Sequence, residues 1–215
     1  MGSVAPPSGQ GNKTSNATLT SDEALGIIDQ EILESCMVKQ ATLSKLRDKI
    51  LEAAQVLAGC LSSGGKVLFF GNGGSAADAQ HLAAELVVKY QVNRGPLAAL
   101  ALHGNSSVVT AISNDYGYKE IFARQVRAFA RPGDVAVGIS TSGASPNVLK
   151  GLQAAREVGC ATIGMTGENG HGLMASFCDL VLAVPSKVTP RIQESHITMG
   201  HVIIGLVEKM LFPGV

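Results

Sequence analysis

Val67-Leu68-Phe69-Phe70-Gly71-Asn72-Gly73-Gly74-Ser75-Ala76 decides the fold. Four apolar residues without a polar interruption read as a strand buried on both faces, the pattern of a parallel sheet. Glycines then permit a tight turn, and helical periodicity runs on to about residue 90. A strand, a glycine turn and a helix start form half of a βα unit, and the chain repeats that alternation outward. Strands are expected at Val67–Phe70, Leu97–Leu102, Asp134–Ile139, Ala161–Met165 and Leu180–Val184. Helices are expected at about 75–90, 106–129, 145–157, 170–177 and 191–211. The expected class is α/β: a doubly wound, five-stranded, mainly parallel sheet with right-handed crossovers and helices on both faces.

Before the first strand, Leu25, Ile28, Ile32, Leu43, Leu46, Ile50 and Leu57 recur at helical spacing. They predict an N-terminal helical extension from Thr20 to about Leu61, as one long helix or two. Thr20 and Glu23 have the spacing of a capping box. Residues 1–19 are polar and small, with Lys13 their single charge, and are expected to form a flexible tail. No linker or internal repeat divides the rest of the chain, so 20–215 reads as one domain.

Among 215 residues, 17 basic side chains balance 17 acidic ones. A neutral chain lacks the electrostatic footprint of a nucleic-acid or anionic-membrane binder. At 46% hydrophobic and 16% charged, it is suited to a packed core, and a chain of this length buries about 70% of its unfolded surface. Cys36, Cys60, Cys160 and Cys178 lie far apart with no C-x-x-C, which favours reduced, mostly buried thiols over a disulfide framework or zinc knuckle. No apolar run approaches the roughly 20 residues of a membrane span, and no basic segment leads into an apolar one at the start. The expected location is cytoplasmic.

Ligands of such sheets bind at the carboxyl ends of the strands. Gly71, Gly73 and Ala76 fit the dinucleotide fingerprint G-x-G-x-x-G/A. A nicotinamide enzyme also needs an acid at the end of the second strand, where this chain has Leu102-His103-Gly104-Asn105. That departure counts against a dehydrogenase, and no G-x-x-x-x-G-K-[ST] phosphate loop occurs. A second loop, Ser140-Thr141-Ser142-Gly143-Ala144-Ser145, offers four hydroxyls and exposed N–H groups at the positive end of a helix dipole. Alone it reads more readily as an ordinary Ser/Thr turn with an N-cap. Two such loops on neighbouring strands point to a phosphorylated small molecule.

Asp78, His81 and Glu85 share one face of the helix after the glycine turn. A His and a carboxylate one turn apart can chelate a metal, act as an acid–base pair, or form a surface ion pair. The last helix carries Gln193, Glu194, His196 and His201. Gln193 and His201 are about 12 Å apart along a helix, so a shared metal needs both side chains to reach toward each other, or ligation across a subunit boundary. His103, His171 and His196 read as structural.

Gly71-Asn72-Gly73-Gly74-Ser75-Ala76-Ala77-Asp78-Ala79-Gln80-His81, Ala111-Ile112-Ser113-Asn114-Asp115-Tyr116-Gly117-Tyr118, Ile139 to Asn147 and Arg191-Ile192-Gln193-Glu194-Ser195-His196 together resemble the phosphoheptose isomerases of the sugar-isomerase (SIS) family. The resemblance covers about residues 22–212. It implies interconversion of sedoheptulose 7-phosphate and D-glycero-D-manno-heptose 7-phosphate, the first step toward nucleotide-activated heptose for lipopolysaccharide or another bacterial surface polysaccharide. It also implies substrate contacts at Asn72, Gly73, Gly74, Ser75, Asn114, Asp115, Ser140, Thr141, Ser142, Ser145 and Gln193. The same resemblance implies one zinc ion (Zn2+) per site on His81, Glu85, Gln193 and His201, with Glu85 as base and His201 as acid. It further implies a homotetramer with active sites between subunits, acting on a sugar phosphate without nucleic-acid or membrane partners.

Two rivals come from the same family. Non-catalytic SIS proteins bind the bacterial replication initiator, and Leu211-Phe212-Pro213 is similar to that group. Those proteins lack the carboxylate and imidazole that correspond to Glu85 and His201, and this chain keeps both. Isomerases of other sugar phosphates are disfavoured by the pattern at His81, Glu85 and His201.

Overall fold

The computed structural model describes residues 19–214. The tail expected at 1–19 therefore lies outside the described residues apart from Leu19. The N-terminal periodicity forms a single helix, α1 (Ser21–Ser62). Its capping box is made as the spacing predicts: Glu23 accepts from the Thr20 backbone N–H at 2.9 Å, and its own N–H donates to Thr20 Oγ1 at 3.3 Å. The chain divides into two units, one ending at Leu33 and the other running from Glu34 to Val215. In the first, Leu25, Ile28, Ile32 and Leu33 are exposed. The second contains the sheet and every residue of the candidate site.

Five parallel strands form that sheet: β1 (Val67–Gly71), β2 (Ala99–Ala101), β3 (Val135–Ile139), β4 (Ala161–Gly167) and β5 (Leu180–Val184), in the order β2-β1-β3-β4-β5. Side chains alternate between faces, as a period of two requires. Val67 and Phe69 join one core cluster with Leu57, Leu82 and Ile203. Leu68 and Phe70 join the other, with Phe122, Leu152 and Met174. The first cluster is covered by the latter part of α1, by α2 (Gly74–Val87) and by α7 (Thr189–Leu211). The second lies under α4 (Ile121–Phe129), α5 (Pro146–Val158) and α6 (His171–Ala175), with α3 (Ser106–Tyr116) beside α4. Each fully buried Phe or Leu is worth about 1.5–3 kcal/mol. Gly151 lets α5 lie close to the sheet, since a Cβ there would sit 2.7 Å from the Phe70 ring.

The structure departs from the sequence reading at several boundaries: β4 runs on to Gly167 and α6 spans only His171–Ala175, and three others have a visible cause. The helix expected over 106–129 breaks at Gly117, whose φ of 88° leaves the right-handed region. β2 is three residues long because Leu97 donates its N–H to Leu86 O in α2. α2 stops at Val87, short of residue 90: Val88 still donates to Ala84 O, but the N–H groups of Tyr90 and Gln91 turn to Glu208. Cys60, Cys160 and Cys178 are buried and unpaired, and burial pushes the last two up to about 11 and 12.

Candidate active site

The strand order reverses direction at β1: the chain crosses from β1 to β2 on one side, then returns to β3 on the other. The crevice at such a switch point, outside the carboxyl ends of the strands, is where open α/β sheets bind ligands. It is bounded here by the glycine loop after β1 and the hydroxyl loop after β3.

In the glycine loop, Gly73 has φ 55°, which favours glycine. A Cβ on Gly71 would lie 2.7 Å from Ile139 O, and one on Gly74 would lie 2.5 Å from Gln193 Nε2. Gln193 of α7 therefore sits directly against the start of α2. Ser75 is buried beneath the turn. Asn72 faces the other loop: its Nδ2 donates to Asn147 Oδ1 at 2.9 Å, and Asn147 Nδ2 donates to Asn72 Oδ1 at 2.8 Å. Tyr118 Oη donates to the same Asn72 oxygen at 3.0 Å. This reciprocal amide pair ties the two loops together.

In the hydroxyl loop, Ser145 ends at the start of α5 with Pro146 in its first turn, yet its side chain caps no N–H. Its hydroxyl instead lies 2.9 Å from that of Ser140, which is 3.4 Å from that of Ser142. Thr141 and Ser142 line a polar cavity of about 170 Å³ together with Asn169, Ser186, Lys187 and Thr189. Asn114 and Asp115 are exposed on α3, where the Asn114 amide donates to Asp115 at 2.8 Å. No hydrogen bond among the described residues joins that pair to either loop.

The helices α2 and α7 run side by side in the same direction. Gln193 meets Gly74, His201 meets His81, and Glu208 meets the segment after α2. On the middle rung His81 Nε2 lies 3.0 Å from Glu85 Oε1 and 3.1 Å from His201 Nε2. One donor atom from each of the three falls within 4.8 Å of the others. A tetrahedral zinc with bonds of 2.0–2.1 Å has ligand edges of about 3.3 Å, so this donor set fits such an ion. Asp78 is outside the group; burial raises its carboxyl while His81 opposes the rise. Gln193 stands one rung higher, seven helical residues or about 10 Å along α2 from His81. It reaches the trio only by extending down the helix pair.

His103 and His196, which the sequence reading sets aside with His171 as structural, each contact a backbone carbonyl. His103 Nε2 is 2.7 Å from Gly71 O, and His196 Nε2 is 3.1 Å from Thr166 O. Asn147, Tyr118, Tyr90, Arg94 and Glu208 are the residues that sequence reasoning missed. Asn147 closes the hydroxyl-loop segment, and Tyr118 closes the Asn114-Asp115 segment, so adjacency was their only signal. The others act through long-range contacts that have none.

The fold is a doubly wound sheet with one loop on each side of its switch point, and residues 34–167 match the SIS domain family model. Curated phosphoheptose isomerases of Paramagnetospirillum magneticum and Rhodospirillum rubrum are 51% and 53% identical to the chain. Each alignment covers 86% of this chain, and 96% and 99% of the respective relative. The solved phosphoheptose isomerase of Neisseria gonorrhoeae superposes with a TM-score of 0.81 at 41% identity, covering 86% of this chain and 99% of that one. That of Francisella tularensis gives 0.83 at 35%, covering 86% and 98%. The chain belongs to the phosphoheptose isomerase family of SIS domain proteins.

Proposed function

We propose that this chain isomerises sedoheptulose 7-phosphate to D-glycero-D-manno-heptose 7-phosphate, supplying nucleotide-activated heptose synthesis in the cytoplasm. The observation that carries the reading is the convergence of His81, Glu85 and His201 on adjoining helices whose sheet presents a hydroxyl loop for the phosphate. The four hydroxyls of Ser140, Thr141, Ser142 and Ser145, with Lys187 beside them, hold the phosphate. Asn72, Gly73, Gly74, Ser75, Asn114, Asp115 and Gln193 complete the sugar contacts.

Ketose-to-aldose conversion moves one proton from C1 to C2 and a second from O1 to O2. Glu85 takes the first from C1 while His201 protonates the C2 oxygen, leaving an enediol. Return of a proton to C2 and loss of the O1 proton gives the aldehyde at C1. Each positioned acid or base contributes about 10²–10⁴-fold. His81, Glu85, His201 and Gln193 would hold zinc, which when bound supplies Lewis-acid stabilisation of developing charge on the sugar oxygens. A carboxylate that ligates through one oxygen would keep the other for proton transfer. An imidazole nitrogen bound to the metal has no proton to give, so the metal-binding and acid roles of His201 alternate rather than coincide.

Assembly as a homotetramer is part of the same reading. Met37, Leu43 and Val202 expose 61%, 63% and 48% of their surfaces. Leu43 and Val202 also line an apolar groove of about 390 Å³ between α1 and α7. Light scattering reads the mass directly, and a monomer refutes that part. No helix among the described residues is long and apolar enough to cross a membrane.

The deciding experiment is incubation with sedoheptulose 7-phosphate, with zinc or with chelator, following the aldose phosphate. Zinc-dependent product supports the reaction and the ligand set. Metal-independent product keeps Glu85 and His201 and removes the zinc. No product in either case overturns the reading in favour of a non-catalytic SIS protein.

A further inference from the structure

Two turns below the converging donors lies an ion pair with no solvent exposure to speak of: the Arg94 side chain is 0% exposed and that of Glu208 is 1%. Every polar atom of the pair is used. Glu208 Oε1 accepts from Arg94 Nε and from the Tyr90 backbone N–H, both at 2.9 Å. Oε2 accepts from Gln91 N at 2.8 Å and Val92 N at 3.1 Å. Arg94 Nη2 donates to Glu85 O at 2.9 Å, and Nη1 donates to Leu86 O at 2.8 Å and to Gly95 O at 2.9 Å. The last carbonyls of a helix lack intrahelical partners, so Arg94 closes α2 at the very residue that carries the candidate base. Glu208, seven residues after His201, shares its face of α7.

The segment that this pair anchors carries Tyr90 back to the site. The Tyr90 ring stacks on the His201 imidazole, 5.3 Å between centroids with 9° between planes. That imidazole also meets the His81 ring edge-on, 5.0 Å between centroids at 62°. A part-exposed histidine has rotamers that point its Nε2 elsewhere, and a flat ring fixed against one face removes them.

We propose that Tyr90 is a positioning residue, anchored by the Arg94–Glu208 pair, whose ring holds the His201 imidazole plane so that Nε2 points at His81 and Glu85. The inference rests on the proposed reaction only for its kinetic consequence, because the geometry is readable without substrate. Supporting shells of this kind are worth about 10–100-fold in metal affinity or activity.

The test compares Tyr90→Ala and Tyr90→Phe in the full chain. Three readouts are taken: the His201 imidazole proton resonances of metal-free protein, zinc affinity by competition with a chromophoric chelator, and kcat and KM on sedoheptulose 7-phosphate. In Tyr90→Ala the ring-current shift of His201 is lost, and zinc affinity and kcat fall about 10–100-fold with little change in KM. Tyr90→Phe restores all three, because the ring and not the hydroxyl acts. An unmoved His201 resonance with unchanged zinc affinity in Tyr90→Ala overturns the proposal, as does a Phe variant impaired like the Ala one. If the wild-type chain is inert on the heptulose phosphate while the resonance and zinc affinity respond as stated, the reaction reading falls and the positioning role stands.

Discussion

Replacing Gly143 by Ala tests whether the hydroxyl loop is held by a glycine-to-glycine contact. Gly143 has φ 65°, and a Cβ built on it collides with the Gly170 Cα and lies 2.8 Å from the Gly170 carbonyl oxygen. A Cβ on Gly170 meets Gly143 in turn, at 2.6 Å. The Thr166 hydroxyl, 2.7 Å from the Gly143 Cβ, can turn aside, but the Gly170 Cα and carbonyl oxygen are backbone and no side-chain rotation relieves them. Left-handed backbone costs a non-glycine residue about 1–2 kcal/mol, and overpacking adds about 1–3 kcal/mol. The sum is about 2–5 kcal/mol, or a fall in Tm of roughly 5–15 °C for a chain of this size. Relief by loop movement displaces Ser142 and Ser145, so KM for the sugar phosphate rises more than kcat falls. Thermal unfolding and steady-state kinetics read the two effects. Gly172→Ala is the control, because nothing lies within 4 Å of its Cβ. A Gly143→Ala protein with unchanged Tm and KM refutes the back-to-back contact as the loop's anchor.

Glu85→Gln keeps the shape and removes the base; turnover falls by about 10²–10⁴-fold with the circular dichroism spectrum unchanged, and retained turnover sinks the assignment. Removing the Ser140 and Ser142 hydroxyls together raises KM with a smaller loss in kcat; unchanged affinity moves the phosphate elsewhere. Burial, partly offset by the Thr166 carbonyl, pushes the His196 imidazole down to about 4. Between that value and the unfolded value of about 6.5 only the unfolded chain binds the proton. The stability is complete above about pH 6.5 and declines by about 3 kcal/mol toward pH 4; a urea midpoint that stays flat between about pH 7.5 and 5 contradicts it. Burial raises the Glu208 carboxyl, but the N–H groups of Tyr90, Gln91 and Val92 and the Arg94 guanidinium outweigh it and hold it low. Its contribution is present above about pH 4.5 and is lost as pH falls through the folded value. Glu208→Gln therefore lowers the Tm at pH 7, with a smaller difference from wild type in acid.

The sequence by itself determined the class of sheet, the five strands, the two loops of the crevice and the helix face that carries His81 and Glu85. Each is a local pattern: uninterrupted apolar runs, glycines at a strand end, hydroxyls before a helix, and a period of 3.6. The heptose came from resemblance alone, because no spacing of residues encodes the length of a sugar. Tertiary structure decided that Gly117 splits one expected helix, that Asn72 pairs with Asn147, and that His201 meets His81 across 120 residues. It also decided where α2 ends, since its terminal carbonyls are closed by Arg94 and the next N–H groups by Glu208, a residue more than 110 positions away. Such pairings depend on which helices lie side by side, and that arises from packing both faces of the sheet at once, a property no local window contains.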